Sequence, residues 1–129
     1  MKFALTQESN ISNEQSAVIN DFSIVLGKKF MDKNYGEDVN EFYIGIICVR
    51  PEFDFFFKEQ GITYDKTKCL SYDIKFDYVD TIQLSDEDLK KVLSVALLQS
   101  LEKLKQHKKI KHFDFDSFQS DFKKVIDEN

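Results

Sequence analysis

Four glycines and one proline serve the whole 129-residue chain, and neither a GxGxxG nor a Walker pattern occurs among them. The usual Gly-rich phosphate cradle is therefore excluded. Tryptophan is absent, and the only histidines, His107 and His112, stand five residues apart, off the i, i+4 register of one helical face. They do not make a metal pair. Cys48 and Cys69 are the only cysteines and form no CxxC. Cys48 lies in an apolar run, which reads as a small buried hydrophobe and is a poor place to stabilise a thiolate. A disulfide between the two stays open. No secretory leader and no apolar run near the ~18 residues of a membrane span is visible, so a cytoplasmic protein without a membrane partner is expected.

The acidic residues do not assemble a cation loop either. Asp73, Asp77 and Asp80 recur along one alternating segment and Asp114 and Asp116 form a DFD pair, yet no DxDxDG loop ending in glutamate is present. No metal, cofactor or catalytic residue is assigned. A small hydrolase-like enzyme with an unrecognised site survives only as an alternative, since nothing pairs an activated group with a tuning partner.

What the chain does contain is charge, phenylalanine and apolar periodicity. The net charge is -5, with 42% hydrophobic and 32% charged residues, the composition of a globular chain long enough for one core. A single domain over 1–129 is the expectation. Residues 1–65 carry 6 basic against 11 acidic side chains, whereas the remainder balances at 12 of each. An acidic surface disfavours nucleic acid and anionic membranes and favours a basic protein partner. The lysine run from Lys103 to Lys111 lacks an accompanying aromatic strand pattern, so nucleic acid is not expected. Thirteen phenylalanines have no polar handle, and several are expected to fill the core.

The clearest local pattern is the stretch from Leu84 to Lys111. Ser85 is an N-cap with acidic residues behind it, and a helix over about 85–105 follows without Gly or Pro. Leu89, Val92, Leu93, Ala96, Ser100, Leu101 and Leu104 share one stripe, and acidic start and basic end match the helix dipole. So wide a stripe calls for a sheet beneath it. Earlier in the chain, Ser12-x-x-Gln15 resembles a capping box opening a helix over about 13–31, with a strand over Ser23–Gly27 as the alternative because β-branched residues fall there. Residues 2–6 read as an edge strand or a loose terminus. Phe42–Val49 is apolar on both alternating faces, which suits a central strand ending before Pro51.

Residues 52–58 fit a short helix or a strand equally, and 62–71 read as a polar turn. From Tyr72 to Tyr78 the alternation is strict, with Asp73 and Asp77 on a wet face. Asp114 caps a last helix, with Phe113 and Phe118 as a hydrophobic staple and Phe122, Val125 and Ile126 behind them. Together these segments predict an α+β fold: a small, mainly antiparallel sheet with the long helix and one or two more on one face.

The block VLGKKFMDKNYGEDVNEFYIGIICVRPEFDFFFK, with YDIKFDYVD and ALLQSLEKLK after it, resembles the small immunity proteins of bacterial polymorphic-toxin and contact-dependent inhibition systems. The resemblance spans about residues 25–105 and carries no catalytic motif. It implies a small, acidic, cytoplasmic, non-enzymatic protein that binds and blocks a cognate toxin domain. An inhibitor needs complementary shape and charge rather than a reaction centre, and an acidic face speeds capture of a basic toxin. The contact residues expected are Asp32, Tyr35, Glu37, Asp38 and Glu41 in the first polar connection, Tyr64 and Asp65 in the second, and Asp73 and Asp77 on the wet strand face. Tyr35 and Tyr64 are the expected anchors. A homodimeric structural or regulatory interaction domain is the alternative, with Phe53, Phe55, Phe56 or Phe57 as its contact; monomer and homodimer both remain open.

Overall fold

The computed structural model describes residues 1–7, 12–49, 61–77 and 83–128. In chain order these form β1 (Lys2–Gln7), α1 (Asn13–Phe30), β2 (Glu41–Val49), β3 (Ile62–Tyr64), β4 (Cys69–Asp77), α2 (Asp86–Leu104) and α3 (Phe115–Glu128). Residues 52–58, with the four phenylalanines named as a dimer contact, lie outside the described residues, as do Tyr78 and Asp80.

The sheet order is β1-β2-β4-β3. β1 is parallel to β2 and β2 to β4, and only the short β3–β4 pair is antiparallel. The mainly antiparallel sheet expected from the sequence is thus wrong, and the sheet is mixed and mostly parallel. The physical reason is the connection: α1 returns the chain along the sheet, so β2 re-enters in the direction of β1. β3 is then laid on the far side of β4 as its hairpin partner and leaves β2 and β4 side by side. Segment 62–71 is also corrected, since β3 and the start of β4 occupy most of it and the turn is confined to 65–68. The two-sided apolar run of β2 is that of an interior parallel strand.

α1 seals the outer edge of β1. Ser12 Oγ accepts from the Gln15 amide at 3.2 Å and starts the helix. Farther along, Ser23 Oγ accepts from the Leu5 amide at 2.9 Å and donates to the Leu5 carbonyl at 3.4 Å. Gln7 Nε2 donates to the Ser16 carbonyl and to Asn20 Oδ1. The edge groups of β1 therefore end on a helix rather than open for another strand.

α2 begins as expected, with Ser85 Oγ accepting from the Asp88 amide at 3.2 Å. Leu89, Leu93, Leu97, Leu101 and Leu104 are buried, together with Ser94 and Ser100, whose hydroxyls donate to the carbonyls of Lys90 and Ala96. The buried stripe is narrower than its sequence implied: Val92 is 38% and Val95 55% exposed. α3 opens on Asp114, which accepts from the amide and hydroxyl of Ser117 at 3.0 and 2.7 Å. The Phe113 and Phe118 rings lie 5.9 Å apart, forming the staple.

Phe118, fully buried, is the hub of an aromatic cluster that also takes in Phe3, Phe30, Phe42 and Phe122. This cluster ties β1, α1, β2 and α3 together. On β2 it uses one alternating face, with Phe42, Ile44, Ile46 and Cys48 in the core. Cys48, buried, and Cys69, partly so, form no disulfide with each other.

Candidate partner-binding surface

The other alternating face carries Tyr43, Gly45, Ile47 and Val49 from β2, in register with Ala4 and Thr6 of β1 and with Ser71, Asp73, Lys75 and Asp77 of β4. Among the described residues, the helix contacts that fill the core are made to the opposite face. Ile47 and Val49 are nevertheless buried, so the accessible part of this face is formed by Ala4, Thr6, Tyr43, Ser71 and Asp73, each partly exposed, and by Lys75 and Asp77, both exposed. Its floor is small because Gly45 has no side chain. A Cβ built there would fall 2.1 Å from Asp73 Oδ1 and 3.5 Å from Thr6 Oγ1, so the carboxylate lies across the glycine. At the strands' starting end, the Lys2 ammonium stands 5.7 Å over the Tyr43 ring.

The nine residues expected at the interface separate into two groups. Tyr35, Asp38 and Tyr64 have internal roles. The Tyr35 hydroxyl donates to Asp121 Oδ2 at 2.6 Å and its ring packs on Phe30, Phe113 and Phe118. Burial first, and then the Asp121 carboxylate, push its phenol well above the usual range. Asp38 is buried and its Oδ2 accepts from the amides of Lys111 at 2.8 Å and His112 at 2.7 Å. Those two amides hold its carboxyl below the usual carboxylate range, with Lys68 Nζ, 3.5 Å away, adding to the effect. The Tyr64 hydroxyl donates to the Asp38 carbonyl.

The remaining acids are accessible but dispersed. Asp32 and Glu37 are exposed in the α1–β2 connection, Glu41 is half-buried at the start of β2, and Asp77 is exposed at the end of β4. Asp65 is exposed in the hairpin, where its Oδ1 accepts from the hydroxyl of Thr67 and from the Thr67 amide at 2.9 Å. Those bonds lower its pKa, the hydroxyl contributing most. The surroundings of Glu37 are of mixed charge: a groove of about 600 Å³ there is lined by Lys2, Lys33 and Lys68 as well. Asp73 alone lies in the middle of the open face.

Tyr43, Thr6 and Gly45 escaped the sequence reading. The available signal was Gly45 inside an otherwise bulky apolar run, since a strand glycine often marks a close approach. Among the described residues no group of His, Cys, Asp and Glu is arranged to hold a metal ion. No helix there is long and apolar enough to cross a membrane.

Comparison with curated proteins and with solved structures gave no match. The family model described as Immunity protein 44, however, matches residues 1–128, almost the entire chain. The resemblance seen in the central block and the leucine-rich helix thus extends through β1 and α3. The chain belongs to the Immunity protein 44 family and is a bacterial immunity protein, a non-enzymatic binder of a toxin.

Proposed function

We propose that this immunity protein neutralises a basic toxin domain in the cytoplasm by receiving it on the part of the sheet that no described helix covers. The observation that carries this reading is the open face itself: a mostly parallel sheet is ordinarily covered on both sides, yet here Ala4, Thr6, Tyr43, Ser71 and Asp73 remain accessible. Tyr43 is the anchor on this reading, an amphipathic ring with Ser71 beside it and the Lys2 ammonium over it. Glu41 and Asp73 supply charge beside it. Asp32, Glu37, Asp65 and Asp77 act at a distance as steering charge, while Tyr35, Asp38 and Tyr64 serve by holding the loops in place.

The test is co-expression with the toxin domain encoded next to the chain. Growth should be rescued and a stable complex recovered, and Tyr43→Ala should weaken that complex by about 2 kcal/mol or more if Tyr43 is a hot spot. Loss of growth with no complex would sink the pairing. Rescue with an undiminished Tyr43→Ala affinity would move the interface off this face.

A further inference from the structure

The three residues of β3 pair with β4 only from Leu70 to Tyr72. Where that pairing ends, a groove of about 610 Å³ opens between β4 and the flank of α2 that carries Ala96, Gln99, Ser100 and Lys103. Those four positions share one side of the helix, and the small Ala96 and Ser100 leave the room. Tyr72 lines this groove from the helix side of β4, where it belongs to the core and is only 9% exposed. Its hydroxyl makes no hydrogen bond among the described residues, yet no side-chain oxygen among them is sealed from solvent without a partner. The nearly buried O–H therefore opens into the groove with nothing of the protein to bond. The Lys103 ammonium is exposed and makes no ion pair among the described residues, and Gln99 beside it is exposed as well. Lys75 lines the β4 side. Asp73, the one acid in the lining, turns its carboxylate the other way, over Gly45 of β2.

We propose that this groove receives one acidic side chain of the toxin, with its carboxylate held by the Tyr72 hydroxyl and the Lys103 ammonium. This rests on the immunity reading above and adds a second contact to it. Asp73 and Lys75 belong both to the groove and to the open sheet face, so one partner can span the two. The lining selects a carboxylate, which only accepts hydrogen bonds, whereas the phenol, the ammonium and the Gln99 amide all donate. Bonds from such donors to a charged acceptor are the stronger kind. An apolar side chain would expel water and leave the Tyr72 O–H without any partner, and a cationic one would meet Lys75 and Lys103.

Two variants isolate the site. Tyr72→Phe deletes the hydroxyl alone, and the melting temperature should not fall, because that group has no internal partner. Lys103→Gln removes the charge at an exposed helix position. Each should weaken binding of the toxin domain encoded next to the chain roughly 10-fold, mainly through faster dissociation. The sign is informative for Lys103, since loss of a lysine from a chain of net charge -5 should by itself speed capture of a basic partner. Lys123→Gln, exposed on α3 and outside the groove, should accordingly bind at least as tightly as the native chain. Native affinity in both Tyr72→Phe and Lys103→Gln overturns the groove contact and leaves the immunity reading standing.

A toxin-independent titration decides the matter if the native chain fails to bind that domain. N-acetyl-glutamic acid α-amide should shift the amide resonances of Tyr72, Ile74 and Ser100 in the ¹⁵N-labelled native protein, and shift them less in either variant. No such shifts, or equal ones from N-acetylglutamine amide, overturn the carboxylate site.

Discussion

At the scale of the single residue, Asp38 does the most with one side chain. Its carboxylate accepts two backbone amides from the α2–α3 connection, its own amide donates to the His112 carbonyl at 3.2 Å, and its carbonyl receives the Tyr64 hydroxyl. Gly36 makes this seam possible, because its φ of +137° and the His112 carbonyl, 2.0 Å from a hypothetical Cβ, exclude any side chain. The lowered pKa of Asp38 gives the sign of its pH dependence. A carboxyl depressed in the folded state contributes stability above its unfolded pKa of about 3.9, and that contribution is lost as pH falls through the folded value. Asp38→Asn should therefore lower the neutral-pH urea midpoint and make stability fall less steeply below about pH 4. Parallel native and variant acid titrations would refute this. Asp65, Glu102 and Asp114 are also depressed, so the variant should retain part of the acid sensitivity.

At the scale of the element, the fold depends on α1 closing the edge of β1. Ser23 is the pivot, since its hydroxyl satisfies both the amide and the carbonyl of Leu5. Ser23→Ala should cost about 1 kcal/mol, seen as a lower denaturant midpoint. It should also speed hydrogen exchange at the Leu5 amide without altering α3, and uniform exchange would show that the edge is held by packing alone. Such pairings explain what the sequence could and could not disclose. The caps at Ser12, Ser85 and Asp114 were legible because each bonds to an amide three residues ahead. Strand direction was not, because the alternation of β4 is the same whether its neighbour runs parallel or antiparallel. Nor could spacing show that Asp38 turns inward, since its amide partners lie 73 and 74 residues away. Tyr35 and Tyr64 looked like surface anchors for the same reason, and Tyr35 meets Asp121 only after α3 has docked. In β4, by contrast, Asp73 could be placed on a wet face from the strict alternation around it.

At the scale of the whole molecule, the open question is how a modest net charge of -5 acts on a partner. Part of the basic charge is already neutralised locally. Lys105 is held by Asp116 at 2.7 Å and Glu102 at 3.2 Å, and Lys68 lies beside Asp38. The Lys105 pairs, whose acids are exposed, contribute little to stability, but they reduce the positive field near the α2 end. On the proposed reading the excess of acid would attract a basic toxin from beyond contact range, an effect that fades as the screening length shrinks from roughly 10 Å at 0.1 M salt to roughly 3 Å at 1 M. Association should accordingly slow by about 10-fold between 0.05 and 0.5 M salt, while dissociation, set by contacts such as Tyr43 and Asp73, changes far less. Replacing Glu37 and Glu41 together by lysine should reduce the association rate at low salt and flatten this dependence, and stopped-flow mixing at several ionic strengths measures both. An association rate that does not respond to salt in the native chain would reduce the acidic excess to a role in solubility and leave capture to the sheet face alone.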